Sequence, residues 1–188
     1  MGHDNSVAAV KFSPDGRLIA TATLFCPSVR IYDSQNGRLS VEFPVQVNSL
    51  NQSLGWVPSN NKQLFVLSQY DDNIHCLDLS TRTFRWSIYG GRDAKCIALA
   101  SNGTFIAAST SSSVSLWETS THKKIECAIQ HTSFIGSMAL SSNHDLVTAG
   151  RKDITIRNLC EVLPSRHCDD VSESASCAHC VKWLPNHE

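Results

Sequence analysis

The chain has 188 residues, of which 41% are hydrophobic and 18% are charged, and its formal net charge is -1. The length is sufficient for a buried core, while no apolar run approaches the ~20 residues that cross a bilayer, so the composition argues against a membrane protein. The near-zero charge gives no overall attraction to nucleic acid, and MGHDNS at the N-terminus lacks the basic and apolar regions of a signal peptide. We therefore expect a cytoplasmic protein, with the nucleus as the alternative.

One motif recurs along the chain with a period of roughly 43 residues, which is typical of a repeat fold. Its copies are VKFSPDG at Val10, LGWVPSN at Leu54, IALASNG at Ile97, MALSSNH at Met138 and VKWLPNH at Val181. The first four copies are followed by the apolar runs RLIATAT, QLFVLSQ, TFIAAST and DLVTAG, and then by the alternating segments VRIYD, IHCLD, VSLWE and ITIRN. Three units add a fourth run, RLSVEF, TFRWSI or KIECAI.

These runs predict an all-β chain in which each unit forms four short strands. They are rich in β-branched and aromatic residues, alternate with period two, and are bounded by turn residues. In the first unit, the segment from Ser13 to Gly16 predicts a hairpin turn between the first two strands, because proline presets φ and glycine accepts a positive φ. We expect one domain over residues 1–188, with units over 2–44, 45–89, 90–130 and 131–170 and a partial fifth unit over 171–188.

The period and strand order resemble the WD40-repeat family of β-propellers, which have a Gly-His pair near each unit start and a Trp-Asp pair closing the third strand. Gly2-His3 and His131 match the first pair. The closing pair reads Tyr32-Asp33, Leu77-Asp78, Trp117-Glu118 and Arg157-Asn158. The resemblance covers about residues 2–160, and the style of the repeats is similar to fungal multi-repeat WD40 proteins.

The resemblance implies a propeller of four antiparallel four-stranded blades plus the first strand of a fifth, in an incomplete ring. Propellers of this family close with more blades, so the end blades are expected to expose apolar faces and strand edges. Further blades from a longer chain, or a second copy of this one, are the partners that would cover them; closure of this chain as a tight or irregular four-blade ring is the remaining alternative.

In the family, a histidine, a serine or threonine, an aspartate and a tryptophan form a hydrogen-bonded set inside each blade. The aspartate position falls on Cys26, Asp71, Ser111 and Arg151 in the four units. We therefore expect no unit to hold the complete set, and we expect apolar packing to stabilise the blades. The residues expected to have structural roles are His3, His131, Asp71, Trp117, Tyr32 and Asp33.

By the same resemblance, the chain is expected to be a non-catalytic scaffold that binds protein or peptide partners through its loop face. That face consists of the loops entering each blade and the turns between second and third strands. The expected contact residues, chosen for reach, charge and turn placement, are Tyr89, Arg92, Asp72, Arg151 and Lys152. The chain contains no G-x-S-x-G, H-E-x-x-H or phosphate-loop pattern, so we expect no catalytic residues and no cofactor.

Two alternatives remain open from the sequence. Cys168, Cys177, His179 and Cys180 include a Cys-x-x-Cys pair, which would suit a zinc-binding or redox module. The repeat offers a structural reading of the same residues, because Cys180 aligns with small residues in the other units. The second alternative is a truncated repeat array without an independent function.

Overall fold

The computed structural model describes residue 3 and residues 5–23, 28–47, 53–58, 60–68, 70–141, 143–163 and 181–183. Its regular structure consists of strands β1 to β16 and one short 3-10 turn, Leu159–Glu161. In the described part of the chain, no helix has the length and apolar character needed to cross a membrane. The predicted all-β fold class is confirmed.

Sixteen strands form four antiparallel sheets of four strands each, which we number 1 to 4 in chain order. Sheet 1 contains β1 (Val7–Phe12), β2 (Leu18–Thr23), β3 (Val29–Asp33) and β4 (Leu39–Phe43). Sheet 2 contains β5 (Leu54–Val57), β6 (Asn60–Leu67), β7 (Asn73–Asp78) and β8 (Thr83–Tyr89). Sheet 3 contains β9 (Cys96–Leu99), β10 (Phe105–Ser109), β11 (Ser113–Glu118) and β12 (Lys124–Gln130). Sheet 4 contains β13 (Ser137–Leu140), β14 (Asp145–Ala149), β15 (Ile154–Asn158) and β16 (Val181–Trp183).

The turns between strands form where the sequence places small polar residues. In the β1–β2 turn, Gly16 has a φ of 71° and donates its N–H to the Ser13 carbonyl at 2.9 Å. In the β3–β4 turn, the Asp33 carboxylate accepts the N–H groups of Gln35 and Asn36 at 2.9 and 3.1 Å. The predicted hairpin turn after β1 is confirmed, and the acidic residue that closes the third strand stabilises the turn that follows it.

Sheet 4 corrects one part of the prediction. Val181–Trp183, expected to begin a fifth unit, is instead the fourth strand of this sheet, with Val181 opposite Ile156 and Trp183 opposite Ile154. That expectation is wrong because the motif identifies a strand but not the edge to which it pairs. The free edge of β15 supplies unpaired backbone groups that an extended segment of the same chain satisfies.

The chain divides into two compact units, unit 1 (Met1–Ile97) and unit 2 (Ala98–Glu188). Unit 1 contains sheets 1 and 2, and unit 2 contains sheets 3 and 4 apart from the first two residues of β9. The residue boundaries predicted for the repeats and for the domain stay predictions.

The core of unit 1 lies between sheets 1 and 2. Sheet 1 contributes Phe43 and otherwise small or β-branched residues, which pack there against Leu54, Trp56, Leu64, Val66 and Leu77 of sheet 2. Trp56, on β5, is 7% exposed, and its indole Nε1 donates to the Lys11 carbonyl at 3.1 Å. Phe43 and Phe84 meet edge to face, with ring centroids 6.5 Å apart. Face-to-face burial of apolar rows therefore holds the two sheets together.

The core of unit 2 is made mainly of strand residues, together with Ile135 from the loop that enters sheet 4. Its largest fully buried side chains are Ile106, Leu116, Ile129, Ile135 and Leu146. The rings of Phe105 and His144 meet edge to face, with centroids 5.4 Å apart, and so connect sheets 3 and 4. Leu159, at the start of the 3-10 turn, is fully buried.

Candidate functional site

The turn between β6 and β7 has a fixed conformation. The Asp71 carboxylate accepts the backbone N–H of Asn73 at 3.2 Å and its side-chain amide at 3.0 Å. His75 Nε2 lies 3.1 Å from the same carboxylate. Burial opposes ionisation of Asp71, but hydrogen bonds from Ser68 and Asn73, together with His75, hold its pKa below the ordinary value. Asp71 therefore stabilises this turn as an ionised hydrogen-bond acceptor.

Asp72 connects this turn to the loop that follows β8. Its carbonyl accepts the N–H of Gly90 at 2.8 Å, and its carboxylate accepts the N–H of Asp93 at 3.2 Å. Gly90 lies so close that an added Cβ would be 3.2 Å from the Asp72 carbonyl oxygen. Tyr89 is the cross-strand partner of Asn73, so it lies at the same end of sheet 2. Three of the predicted contact residues, Asp72, Tyr89 and Arg92, are thus brought to one end of the sheet.

The most exposed large hydrophobic side chain at this end is Tyr70, which the sequence analysis did not select. Tyr70 is 76% exposed and Tyr89 is 58% exposed, while Arg92 is also exposed. We call Tyr70, Asp72, Tyr89 and Arg92 the sheet-2 corner. The available signal for Tyr70 was its position directly before the Asp71-Asp72 turn, where an aromatic residue has no neighbouring strand to cover it.

In unit 2, three loops are joined at one end of sheets 3 and 4. The N–H of His131 donates to the Ser112 carbonyl at 2.7 Å, and that of Ile135 donates to the Ser111 carbonyl at 2.8 Å. Residues 151–153 form the turn between β14 and β15, and Arg151 and Lys152 are exposed there. We call residues 111–113, 131–133 and 151–153 the unit-2 loop cluster. It brings the remaining two predicted contact residues next to the loop that enters sheet 4.

The loop cluster is built around the buried imidazole of His131, whose side chain is fully buried. Its Nε2 lies 3.2 Å from Asp153 Oδ1, and its Nδ1 lies 3.0 and 3.2 Å from the hydroxyls of Thr148 and Thr155. A carboxylate only accepts, so Nε2 is the donor to Asp153, while Nδ1 hydrogen-bonds to the two threonine hydroxyls. Both ring nitrogens of His131 are therefore engaged, as expected for a structural histidine.

Asp153 receives further hydrogen bonds from the loop that enters sheet 4. Thr132 donates to its Oδ2, and Ser133 donates to its Oδ1 at 2.8 Å. The bonds from Thr132 and Ser133, aided by His131 and opposed by burial, lower the pKa of Asp153 to about 2. The assignment of the aspartate position to Arg151 is wrong, because the carboxylate that contacts His131 belongs to Asp153. Asp153 supplies the acceptor instead. The hydrogen bond requires only that a carboxylate lie close to the imidazole, and it does not depend on which residue of the turn carries that carboxylate.

Gly150 allows Asp153 to make this approach. A Cβ at residue 150 would lie 2.5 Å from Asp153 Oδ1 and 2.6 Å from His131 Nε2, and closer still to Ser133 Oγ. No side chain fits in that space without displacing polar atoms that hydrogen-bond to one another. The glycine is therefore required here by close packing of the network.

Comparisons with known proteins agree with this architecture. The family model described as "WD domain, G-beta repeat" matches residues 1–33, which run to the end of β3. Over these residues the chain is therefore similar to a WD40 repeat. The search of curated proteins found no match to the chain.

Two solved structures share the WD40 fold with this chain. "Structure of U3-55K" superposes with a TM-score of 0.75 at 18% identity, covering 86% of this chain and 51% of that one. "Crystal structure of RRP9 WD40 repeats" gives a TM-score of 0.73 at 19% identity, covering 86% and 50%. The chain thus spans about half the length of these structures. At these identities the likeness establishes the fold, and the resemblance to WD40 propellers is confirmed.

The first WD40 repeat contains a smaller polar set than the fourth. His3 Nε2 lies 2.8 Å from the Thr21 hydroxyl, and the ring of His3 meets that of Tyr32 edge to face at 6.0 Å. In the second repeat Asp71 contacts His75 of its own sheet. In the third, Trp117 is 4% exposed and packs in the core. These residues contribute to the structure of the repeats, and their assignment as structural residues stays a prediction that their contacts favour.

The cysteines selected for the zinc or redox alternative lie outside the described residues, as do their neighbouring histidine and Cys26. Among the residues that the structure does describe, no group of three or more His, Cys, Asp or Glu side chains is arranged to hold a metal ion. Cys76 and Cys96 are buried, and burial raises the pKa of the Cys76 thiol to about 12. The alternative at Cys168, Cys177, His179 and Cys180 stays a prediction.

Proposed function

We propose that this WD40 chain is a non-catalytic scaffold that binds protein or peptide partners through the turns at one end of its sheets. The observation that carries the proposal is the combination of fixed backbone and exposed side chains. Asp72 connects two loops by hydrogen bonds, while Tyr89 and Arg92 beside it remain exposed. A partner that binds such a surface pays little ordering cost, because the loops are already in place.

The sheet-2 corner has the residue types that dominate binding energy in protein interfaces. Tyrosine offers a large rigid ring with a polar tip, and arginine offers a planar cation that binds carboxylates and stacks on rings. Tyr70 and Tyr89 can cover apolar groups of a partner, while Arg92 and Asp72 provide one charge of each sign. We therefore propose this corner as the main contact surface of unit 1.

The unit-2 loop cluster provides a second, basic contact surface at Arg151 and Lys152. Asp153 beside them accepts hydrogen bonds from Thr132, Ser133 and His131, which stabilise its negative charge from within the network. The two cations remain exposed and are suited to acidic side chains of a partner. Their positions are fixed by the same network that fixes Asp153.

The chemistry of His131 favours a scaffold over an enzyme. Its side chain is fully buried, and both of its ring nitrogens are bonded to protein groups. A general base must lie within reach of a substrate proton, and a fully buried imidazole does not. The Asp153 carboxylate is likewise occupied by three donors.

The proposal is tested with peptides selected from a random-sequence display library against the purified chain. Selected peptides are titrated against the wild-type chain, a Tyr89→Ser/Arg92→Ser variant, and a Lys62→Ser/Arg82→Ser control at the opposite end of sheet 2. A second pair, Arg151→Ser/Lys152→Ser, tests unit 2. Loss of two interface anchors weakens binding by about 30-fold or more, since each is worth on the order of 1 to 2 kcal/mol.

The expected result is that each selected peptide loses affinity for one contact variant and keeps it for the control. Thermal melts of all variants monitor folding. Selection of no peptide, or of peptides that bind every variant with unchanged affinity, would refute these surfaces as the binding sites.

A further inference from the structure

Each sheet has two apolar faces. The register in which its strands pair identifies the residues that occupy equivalent positions in different sheets. On sheet 2, the row Trp56, Leu64 and Leu77 lies on the face toward sheet 1. All three are buried, with exposures of 7%, 0% and 0%. The equivalent residues of sheet 4, Leu140 and Leu146, are 7% and 1% exposed. We call this the preceding face, because in unit 1 it packs against the preceding sheet.

Sheet 1 has the same row on its preceding face, but there the row is open. By register, Phe12, Ile19 and Tyr32 match Trp56, Leu64 and Leu77. Phe12 is 62% exposed, Ile19 and Tyr32 are partly exposed, and Val10 in the next row is 53% exposed. Large apolar side chains that the repeat buries in sheets 2 and 4 are thus left uncovered in sheet 1.

Sheet 4 also leaves apolar residues exposed, but on its other face. We call this the following face, because in unit 1 it packs against the next sheet along the chain. In unit 1 the following face of sheet 1 packs against sheet 2, and its Val29 and Ile31 are fully buried. The equivalent residues of sheet 4 by register are Ile154 and Ile156, which are 44% and 36% exposed. Their equivalents in sheet 3 are Val114 and Leu116, which are 3% and 0% exposed.

We propose that the preceding face of sheet 1 binds the following face of sheet 4 in a second copy of this chain. The interface would continue the one that sheets 1 and 2 already form inside unit 1. That interface places bulky side chains of a preceding face against a following face that is small or β-branched on its inner strands and contributes Phe43 from β4. Phe12, Ile19 and Tyr32 are bulky, and sheet 4 offers Ile154 and Ile156.

The size pattern favours this head-to-tail pairing over a symmetric one. Two preceding faces would place aromatic rings of Phe12 against one another, whereas a preceding face on a following face repeats the packing that sheets 1 and 2 already have. The one charged pair on the preceding face, Arg30 and Glu42, is paired internally at 2.9 Å and leaves no net charge to bury. A head-to-tail contact is heterologous, so copies add in sequence until a ring closes or a chain grows.

The proposal is tested by sedimentation velocity of the purified chain over a wide concentration range. Phe12→Asp places a charge on the preceding face of sheet 1, and Ile156→Asp places a charge on the following face of sheet 4. Tyr70→Asp is the control, because it changes an exposed aromatic residue that lies on neither face. Val10→Asp and Ile154→Asp are second variants of the two faces, and circular dichroism monitors folding. The wild-type chain and the Tyr70 control are expected to associate as concentration rises.

Each face variant alone is expected to stay monomeric, because either change removes one half of every contact. An equimolar mixture of Phe12→Asp and Ile156→Asp chains is expected to form dimers that grow no further, since one intact face remains on each copy. A wild-type chain that stays monomeric throughout, as it would if the two faces met within one copy, overturns the proposal. Self-association of either face variant alone, or failure of the mixture to dimerise, also overturns it. Because no residue of the sheet-2 corner takes part, this result is independent of the proposed partner binding.

Discussion

Replacing Gly150 with alanine tests how tightly the His131 network is packed. The new Cβ would lie 2.5 and 2.6 Å from Asp153 and His131, whereas ordinary contact begins at 3.4 Å. The polar side chains must therefore retreat by about 1 Å, which overpacks a close-packed region at a cost of about 1 to 3 kcal/mol. Weakening the hydrogen bonds that Ser133 and His131 make adds about 1 kcal/mol. We expect Gly150→Ala to lower the free energy of unfolding by about 3 kcal/mol.

Gly136→Ala is the matched control, because it lies near the same network and has room for a side chain. Its Cβ would meet only the Ala149 carbonyl oxygen, at 3.9 Å. That change should leave stability within about 0.5 kcal/mol of wild type, or raise it slightly through the unfolded state. Urea unfolding followed by far-ultraviolet circular dichroism gives both values. If Gly150→Ala costs no more than Gly136→Ala, the reasoning about close packing is wrong.

Three further predictions follow from the same contacts. The pKa of Asp153 is lowered from 3.8 to about 2, so its ionised form contributes stability that is present above the unfolded pKa and lost as pH falls toward 2. The difference in urea midpoint between wild type and Asp153→Asn should therefore shrink below about pH 4, and a difference that is constant down to about pH 2 would contradict this. Trp56→Phe should lower the free energy of unfolding by about 2 kcal/mol, because it removes the hydrogen bond to Lys11 and leaves a cavity; an unchanged urea midpoint would contradict this. Iodoacetamide at about pH 8 should leave Cys76 and Cys96 unmodified in the folded chain and modify both in urea, as read by peptide mass spectrometry; rapid labelling without urea would show that they are not buried.

The strand framework could be predicted from sequence because its signals are local. Each strand is indicated within a few residues by alternation with period two, by β-branched residues and by turn residues at fixed offsets. Because the chain repeats, each of these patterns occurs several times. The turn at Ser13 and the acidic residue at Asp33 behave as their local chemistry dictates. Pairing of Val181–Trp183 could not be read in the same way, because it depends on which strand edge is free, a property of the assembled sheet.

The sequence indicated where the candidate surface of sheet 2 lies, but it did not indicate every residue of that surface. Asp72, Tyr89 and Arg92 were selected for turn placement, and hydrogen bonds between their loops bring them to one end of sheet 2. Tyr70 was missed because exposure depends on what covers a residue in three dimensions. A tyrosine beside an apolar strand reads as core in the sequence, whereas here it projects from a turn with 76% of its surface exposed.

The position of Asp153 shows why counting along a turn fails where geometry succeeds. Counting back from Arg157 selected Arg151, a residue that cannot accept a hydrogen bond. The imidazole of His131 imposes only a distance and a direction, and the β14–β15 turn satisfies both with Asp153. What permits this is Gly150, whose missing Cβ leaves the space that the carboxylate and Ser133 occupy. In this repeat the glycine and the aspartate therefore act as one feature, because Gly150 leaves the space in which Asp153 reaches the buried imidazole of His131.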